Sequence, residues 1–220
     1  MKLSLRLSGL LAALLMSAAA QAITVHTTDF IADGSRTGFN GFEGIPNDGT
    51  FYTGGSGPYA EGGITVEQVN GDPPNDIWVT YRPPGGEGQF GWYPDGADHG
   101  YTKITLTGGG DFSSVGMLIS SGFGGGGQQL AYELFDNGSL VASGTSSSSG
   151  SFTYLGFSGG GFDTILLADG FGVFSVTDGH SNALTVDAIE VTGGRVPEPA
   201  TLALMVLALG AAGAVRRRAD

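Results

Sequence analysis

No cysteine occurs anywhere in the 220 residues. Disulfide staples, thiolate zinc sites and cysteine nucleophiles are therefore excluded, and stability has to come from core burial or bound ions. Basic residues are scarce: nine Lys and Arg stand against 21 Asp and Glu, for a formal net charge of −12. Between residues 23 and 195 the only cations are Arg36, Arg82, Lys103 and Arg195, and nineteen acids bring that stretch to about −15. Such a charge argues against nucleic acid as a partner, because that binding rests on Lys and Arg neutralising phosphates. Histidine is limited to His26, His99 and His180. A histidine metal cluster thus has little to be built from. The central stretch also lacks any amphipathic run of helical period and length.

Glycine is abundant instead, with 41 residues and no three-residue period. The glycines separate short runs rich in Val, Ile, Thr and aromatics, the pattern of many strands joined by tight turns. Candidate strands are Thr24–Phe30, Gly63–Val69, Asp76–Arg82, Phe90–Tyr93, Tyr101–Leu106, Val115–Ser120, Leu130–Phe135, Ser139–Ser143, Phe152–Phe157, Asp163–Leu167, Val173–Thr177 and Ala183–Val191. Alternation is clear in Tyr101–Leu106, where Thr102, Ile104 and Leu106 oppose Tyr101, Lys103 and Thr105. Asn137-Gly138 between two such runs suits a type I′ hairpin turn. Thr145–Ser151 reads as a polar low-complexity loop. The expectation is an all-β chain forming a single β-sandwich, jelly-roll-like, over residues 23–195, with a closed barrel as the alternative.

Both ends carry targeting features. Lys2 and Arg6 precede an apolar stretch from Leu7 to Ala20, and Ala20-Gln21-Ala22 fits the small-x-small rule for cleavage after Ala22. Residues 1–22 are read as a cleaved signal peptide. At the far end, Pro197-Glu198-Pro199 stops any strand and keeps Glu198 in extended backbone. Ala200–Val215 is apolar apart from Thr201, and its length as a helix is roughly 24 Å against a hydrocarbon core of about 30 Å. Arg216-Arg217-Arg218 then stays cytoplasmic under the positive-inside rule, which leaves the preceding chain outside. A permanent anchor usually has about 20 apolar residues and needs no Pro-Glu-Pro.

This ordered tail, residues 196–220, resembles the PEP-CTERM sorting signal. The resemblance implies a C-terminal sorting helix recognised in the inner membrane, cleavage by an exosortase, and transfer of the body to the cell surface or the extracellular matrix. Pro197, Glu198, Pro199, Arg216, Arg217 and Arg218 would carry the sorting function. The body resembles the sugar-binding-like modules often found ahead of such tails. Its matching segments are Gly41-Phe42-Glu43-Gly44, Trp92-Tyr93-Pro94-Asp95-Gly96, Gly159-Gly160-Gly161-Phe162-Asp163 and Leu184-Thr185-Val186-Asp187-Ala188-Ile189. Many such modules hold a structural calcium between an early acid and one on the final strand, which by chain order would be Glu43 and Asp187. Trp78, Trp92, Tyr93 and Tyr101 offer rings for stacking on sugars, the alternative being that they pack in the core.

Other motifs dissolve on inspection. Gly122–Gly127 matches G-x-G-x-x-G, but a strand-like segment follows where a dinucleotide site needs a helix. Asn137-Gly138-Ser139 matches a glycosylation acceptor and is equally explained by the hairpin turn. The Asp95–His99 segment reads as a solvated acidic loop. The expected protein is therefore exported and non-catalytic, at the cell surface or in an exopolysaccharide and biofilm matrix. Its partners would be exosortase, transiently the inner membrane, and extracellular polysaccharide. The alternative is a secreted glycan hydrolase or lyase using the same address, since paired carboxylates cannot be placed from sequence.

Overall fold

A computed structural model describes residues 22–45, 54–69, 77–80, 85–94, 100–121, 128–170, 176 and 183–193. Along them run the strands β1 (Thr24–His26), β2 (Gly38–Asn40), β3 (Gly54–Ser56), β4 (Tyr59–Glu61), β5 (Ile64–Val69), β6 (Ile77–Thr80) and β7 (Trp92–Pro94). They continue as β8 (Tyr101–Leu106), β9 (Phe112–Ser121), β10 (Gln128–Asp136), β11 (Ser139–Ser148), β12 (Thr153–Phe162), β13 (Thr164–Gly170) and β14 (Leu184–Thr192). A single 3-10 turn, Asp33–Ser35, is the only helical element among the described residues. No helix among them is long and apolar enough to cross a membrane.

Antiparallel pairing builds two sheets. One has the order β1-β12-β9-β14-β7-β6-β3, with β2 also on β14; the other has the order β11-β10-β13-β8-β5-β4. The two-residue period of the strands decides which side chains meet between them. Ile64 and Val66 on β5, Ile104 on β8, Leu130 and Leu134 on β10, and Ile165 and Leu167 on β13 point inward from the six-stranded sheet. Val115, Met117 and Ile119 on β9, Leu155 and Phe157 on β12, and Leu184 and Val186 on β14 oppose them in one core. Full burial of each such side chain stabilises by about 1.5–3 kcal/mol. The sheets end in separate edges, so the fold is the expected β-sandwich and not the closed barrel.

The Asn137-Gly138 turn forms as the sequence implies, with φ of 48° and 77° between the paired residues Asp136 and Ser139. Other segments differ from expectation. Thr145–Ser148 is not a loop: it completes β11, in register with Ala131 through Gln128 of β10. A run dominated by Ser carries little strand signal of its own, so the partner strand dictates the conformation. Gly144 must be small there, because a Cβ would strike the Tyr132 hydroxyl. The short strands β2, β3 and β4 were also not legible, being three residues each, too short for alternation to show. The bulk of the segment expected to be a signal peptide (residues 1–21), the tail from residue 194 onward, Asp95–His99, Gly122–Gly127 and most of Val173–Thr177 lie outside the described residues.

Candidate functional site

Of the rings singled out for sugar stacking, Trp92 is a correction. It is fully buried, its ring centroid 6.3 Å from that of Phe42, and its indole N–H donates to Thr102 Oγ1 at 3.2 Å. A ring enclosed on both sides has no face for a ligand, so Trp92 is core. Tyr93, the next residue on β7, is half-buried. Trp78 lies in β6, paired along the backbone with Gly55 and Pro94.

Glu43 and Asp187, the residues matched to a calcium site, meet the same loop. Asn40 Oδ1 accepts the Phe42 N–H at 3.1 Å, and Phe42 takes a φ of 59° while its side chain is fully buried. Core burial of the ring thereby offsets the unfavourable backbone and aims Glu43 outward. Glu43 Oε1 then accepts the N–H groups of Gln89 and Phe90, at 2.5 and 3.0 Å. Asp187 Oδ2 accepts the Glu87 N–H at 2.8 Å, and its Oδ1 accepts the Ala188 N–H at 2.7 Å. Asp187 sits at a bulge of β14, where Ala188 adopts a φ of 47°. Burial pushes its carboxyl up to about 7, helped by the neighbouring Glu43 and Glu87 charges and opposed by the two backbone N–H donors. Two carboxylates thus clamp residues 85–90 by their backbone. Gly88 has a φ of +62° and its Cβ would fall on Glu43, while a Cβ at Gly86 would lie 2.7 Å from Asp187 Oδ2. Both carboxylates accept from backbone amides, Glu43 through Oε1 and Asp187 through both oxygens.

A second carboxylate group was missed in the sequence because its members are far apart along the chain. Asp111, Asp136 and Asp163 bring one oxygen each within 4.8 Å of one another, all half-buried. Asp163 Oδ2 accepts the Asn137 N–H at 2.8 Å and Asp136 Oδ1 accepts from Asn137 Nδ2 at 2.7 Å, so the hairpin turn organises two of the three.

The most ligand-like surface is the outer face of the six-stranded sheet. Glu133, Leu166, Lys103 and Glu67 stand in register across β10, β13, β8 and β5. Lys103 Nζ lies 2.8 Å from Glu67 Oε1. Leu166 of this row is buried with Ala131, Ala168 and Val176 in a small apolar cluster, against which the half-buried rings of Tyr101 and Phe135 pack. Aromatic rings beside charged hydrogen-bonding groups on a flat sheet provide apolar platforms and polar anchors together. Tyr101 was one of the rings weighed from sequence; Phe135 was passed over because a half-buried Phe in a strand looks like core.

On the opposite sheet the N-terminal segment forms a strap. Arg36 Nε lies 2.5 Å from Glu190 Oε2, and Tyr154 donates to Glu190 Oε1 at 2.8 Å. Burial is the main cause raising the Glu190 carboxyl above its ordinary range, while Arg36 and Tyr154 pull it down.

Residues 195–219 match the family described as the PEP-CTERM protein-sorting motif. The chain therefore carries this sorting signal, which implies an exported protein, transiently anchored in a membrane and processed by exosortase. Among solved structures, a family 29 carbohydrate-binding module from Piromyces equi is similar, with a TM-score of 0.37 and 14% identity over 69% of this chain and 93% of that one. No curated protein matches the chain.

Proposed function

We propose that this chain is a non-catalytic protein of the cell surface or exopolysaccharide matrix, delivered by exosortase processing, whose sandwich binds extracellular polysaccharide. The observation that carries the binding reading is the outer face of the six-stranded sheet, where half-buried Tyr101 stands two residues along β8 from Lys103, the partner of Glu67, and half-buried Phe135 two residues along β10 from Glu133. Sugar rings present apolar C–H faces to aromatic platforms and hydroxyls to charged groups, and this face offers both. The sorting motif supports a destination where polysaccharide is met. Against the alternative of a glycan-active enzyme stands the burial of the one carboxyl raised to about 7 among the described residues: Asp187 is 1% exposed, beneath the loop it holds. A glycosidase acid has to reach the glycosidic oxygen.

The test is affinity electrophoresis in gels containing polysaccharide extracted from the producing cells. Tyr101→Ala and Phe135→Ala should each weaken retention about tenfold, the scale of an aromatic contact worth roughly 1–1.5 kcal/mol, measured at a temperature where each variant, which also loses packing against the Leu166 cluster, is fully folded. The polysaccharide's size distribution should also survive prolonged incubation with the protein. Retention unaffected by both substitutions together would overturn the site, and chain shortening would overturn the non-catalytic reading.

A further inference from the structure

We infer that β11 is a self-pairing edge, through which two copies of the chain join antiparallel and fuse their six-stranded sheets into one of twelve strands. β11 ends its sheet: it is bonded to β10 along its whole length, and among the described residues it pairs with no other strand. Open strand edges are templates for another chain, and proteins commonly blunt them with charges, prolines or brevity. The other three sheet edges, β1, β3 and β4, are three residues long. β11 has ten residues, Ser-Leu-Val-Ala-Ser-Gly-Thr-Ser-Ser-Ser, with neither charge nor proline. Two of the three large apolar side chains exposed among the described residues lie on it, Leu140 at 55% and Val141 at 43%.

Charge selects a second copy as the occupant. Identical chains of net charge −12 repel wherever carboxylates face each other, and this strand is a long surface element without any. Antiparallel pairing of a strand with itself is self-complementary under a two-fold axis. It places the two Asp111–Asp136–Asp163 groups beyond opposite ends of the ladder, separated by about 33 Å for ten residues, or roughly four screening lengths in physiological salt. A parallel pairing would set them side by side. The two-fold axis of an antiparallel junction is perpendicular to the sheet, so both outer faces look the same way. On the polysaccharide reading above, on which this consequence alone rests, the Tyr101 and Phe135 faces of both copies would engage one surface and gain avidity.

The full chain in a non-ionic detergent, studied by sedimentation velocity, tests the pairing. Wild type should sediment as a dimer, and Val141→Lys with Thr145→Lys should give monomers with the same unfolding midpoint, since both positions are exposed. Dimers that persist in the double variant would assign association to another surface, such as the tail, and overturn the proposal. A wild type monomeric at 100-fold the dilution series' lowest concentration would leave the edge to a strand of some other protein and equally overturn it. Because the chain has no cysteine of its own, single cysteines at Val141, Ser143, Thr145 and Ser147 report the geometry. An intermolecular disulfide should form at the position nearest the two-fold axis and fall away on either side; equal yields at all four would refute a fixed antiparallel register. Polysaccharide retention is scored separately: a dimer that fails to bind sinks the glycan reading and leaves the pairing standing.

Discussion

The indole N–H of Trp92, on β7 of the larger sheet, donates across the sandwich to the hydroxyl of Thr102 on β8 of the other, at 3.2 Å and with both side chains fully buried. A polar link inside an apolar core fixes how the two sheets sit over one another, because sliding either would leave a buried donor unmet. Trp92→Ala should destabilise the body by about 3–5 kcal/mol, the usual range for a large aromatic removed from a core. Thr102→Val should cost about 1–3 kcal/mol by orphaning the indole N–H. Urea unfolding of the two single variants and the double variant checks this, and strict additivity would show that the bond contributes nothing.

The loop at residues 85–90 has a different dependence, on glycine. Gly88→Ala combines a φ of +62° with a Cβ placed on Glu43 Oε1, and the contact cannot be relieved without giving up the Gln89 and Phe90 amides that Glu43 accepts. Loss of those bonds and the backbone strain together should cost about 2–3 kcal/mol. Gly85→Ala, by contrast, meets only the Phe152 Cβ at 4.0 Å, although its φ of +93° still carries strain. Amide exchange should therefore accelerate at Gln89 and Phe90 in Gly88→Ala and in Glu43→Ala alike. Acceleration in only one of them would break the proposed clamp.

These two sites show what a sequence can and cannot carry. Thr102 and Ile104 alternate with Tyr101 and Lys103 in a six-residue run, and that period alone assigned their faces correctly. Asn137-Gly138 announced its turn because few residue pairs accept two positive φ values. Trp92 was misjudged since an aromatic between Gly and Tyr carries no mark of which sheet face it occupies, and burial of its ring is decided by Phe42 and Thr102, distant in sequence. Glu43 and Asp187 were paired by chain order, and the loop they share came from neither. Asp111, Asp136 and Asp163 converge only through strand register, which no local pattern encodes.

Three half-buried carboxylates within 4.8 Å repel one another. Asp111→Asn removes one charge without touching the bonds that Asp136 and Asp163 make to Asn137. In buffer containing chelator and little salt the substitution should raise stability, by about 1 kcal/mol per removed repulsion at a water-like dielectric. Added sodium chloride should shrink the gain, because the screening length falls from about 30 Å at 10 mM to about 3 Å at 1 M. A stabilisation that does not diminish between 10 mM and 1 M salt would mean that the benefit is not electrostatic.

Asp187 gives the body a pH dependence of definite sign. Its carboxyl titrates near 7 in the folded chain, chiefly because burial disfavours the charged form, with Glu43 and Glu87 adding repulsion. In the unfolded chain it titrates near the ordinary aspartate value of about 4. Between those values the folded state holds a proton that the unfolded state has released, so stability falls as pH rises from about 4 to about 7 and is level above. The slope from this one group is at most about 1.4 kcal/mol per pH unit. Other carboxylates titrate in the lower part of the window, and the difference between wild type and Asp187→Ala isolates this residue from them. At pH 5 the substitution should be clearly destabilising, because the Glu87 and Ala188 amides lose an acceptor that then carries no charge penalty. At pH 8 the loss should be smaller, since removing the residue also removes a buried charge held close to two other carboxylates. Guanidinium unfolding of both proteins at half-unit steps from pH 4.5 to 8.5 measures the difference directly. A destabilisation that is constant across that range would contradict the raised carboxyl.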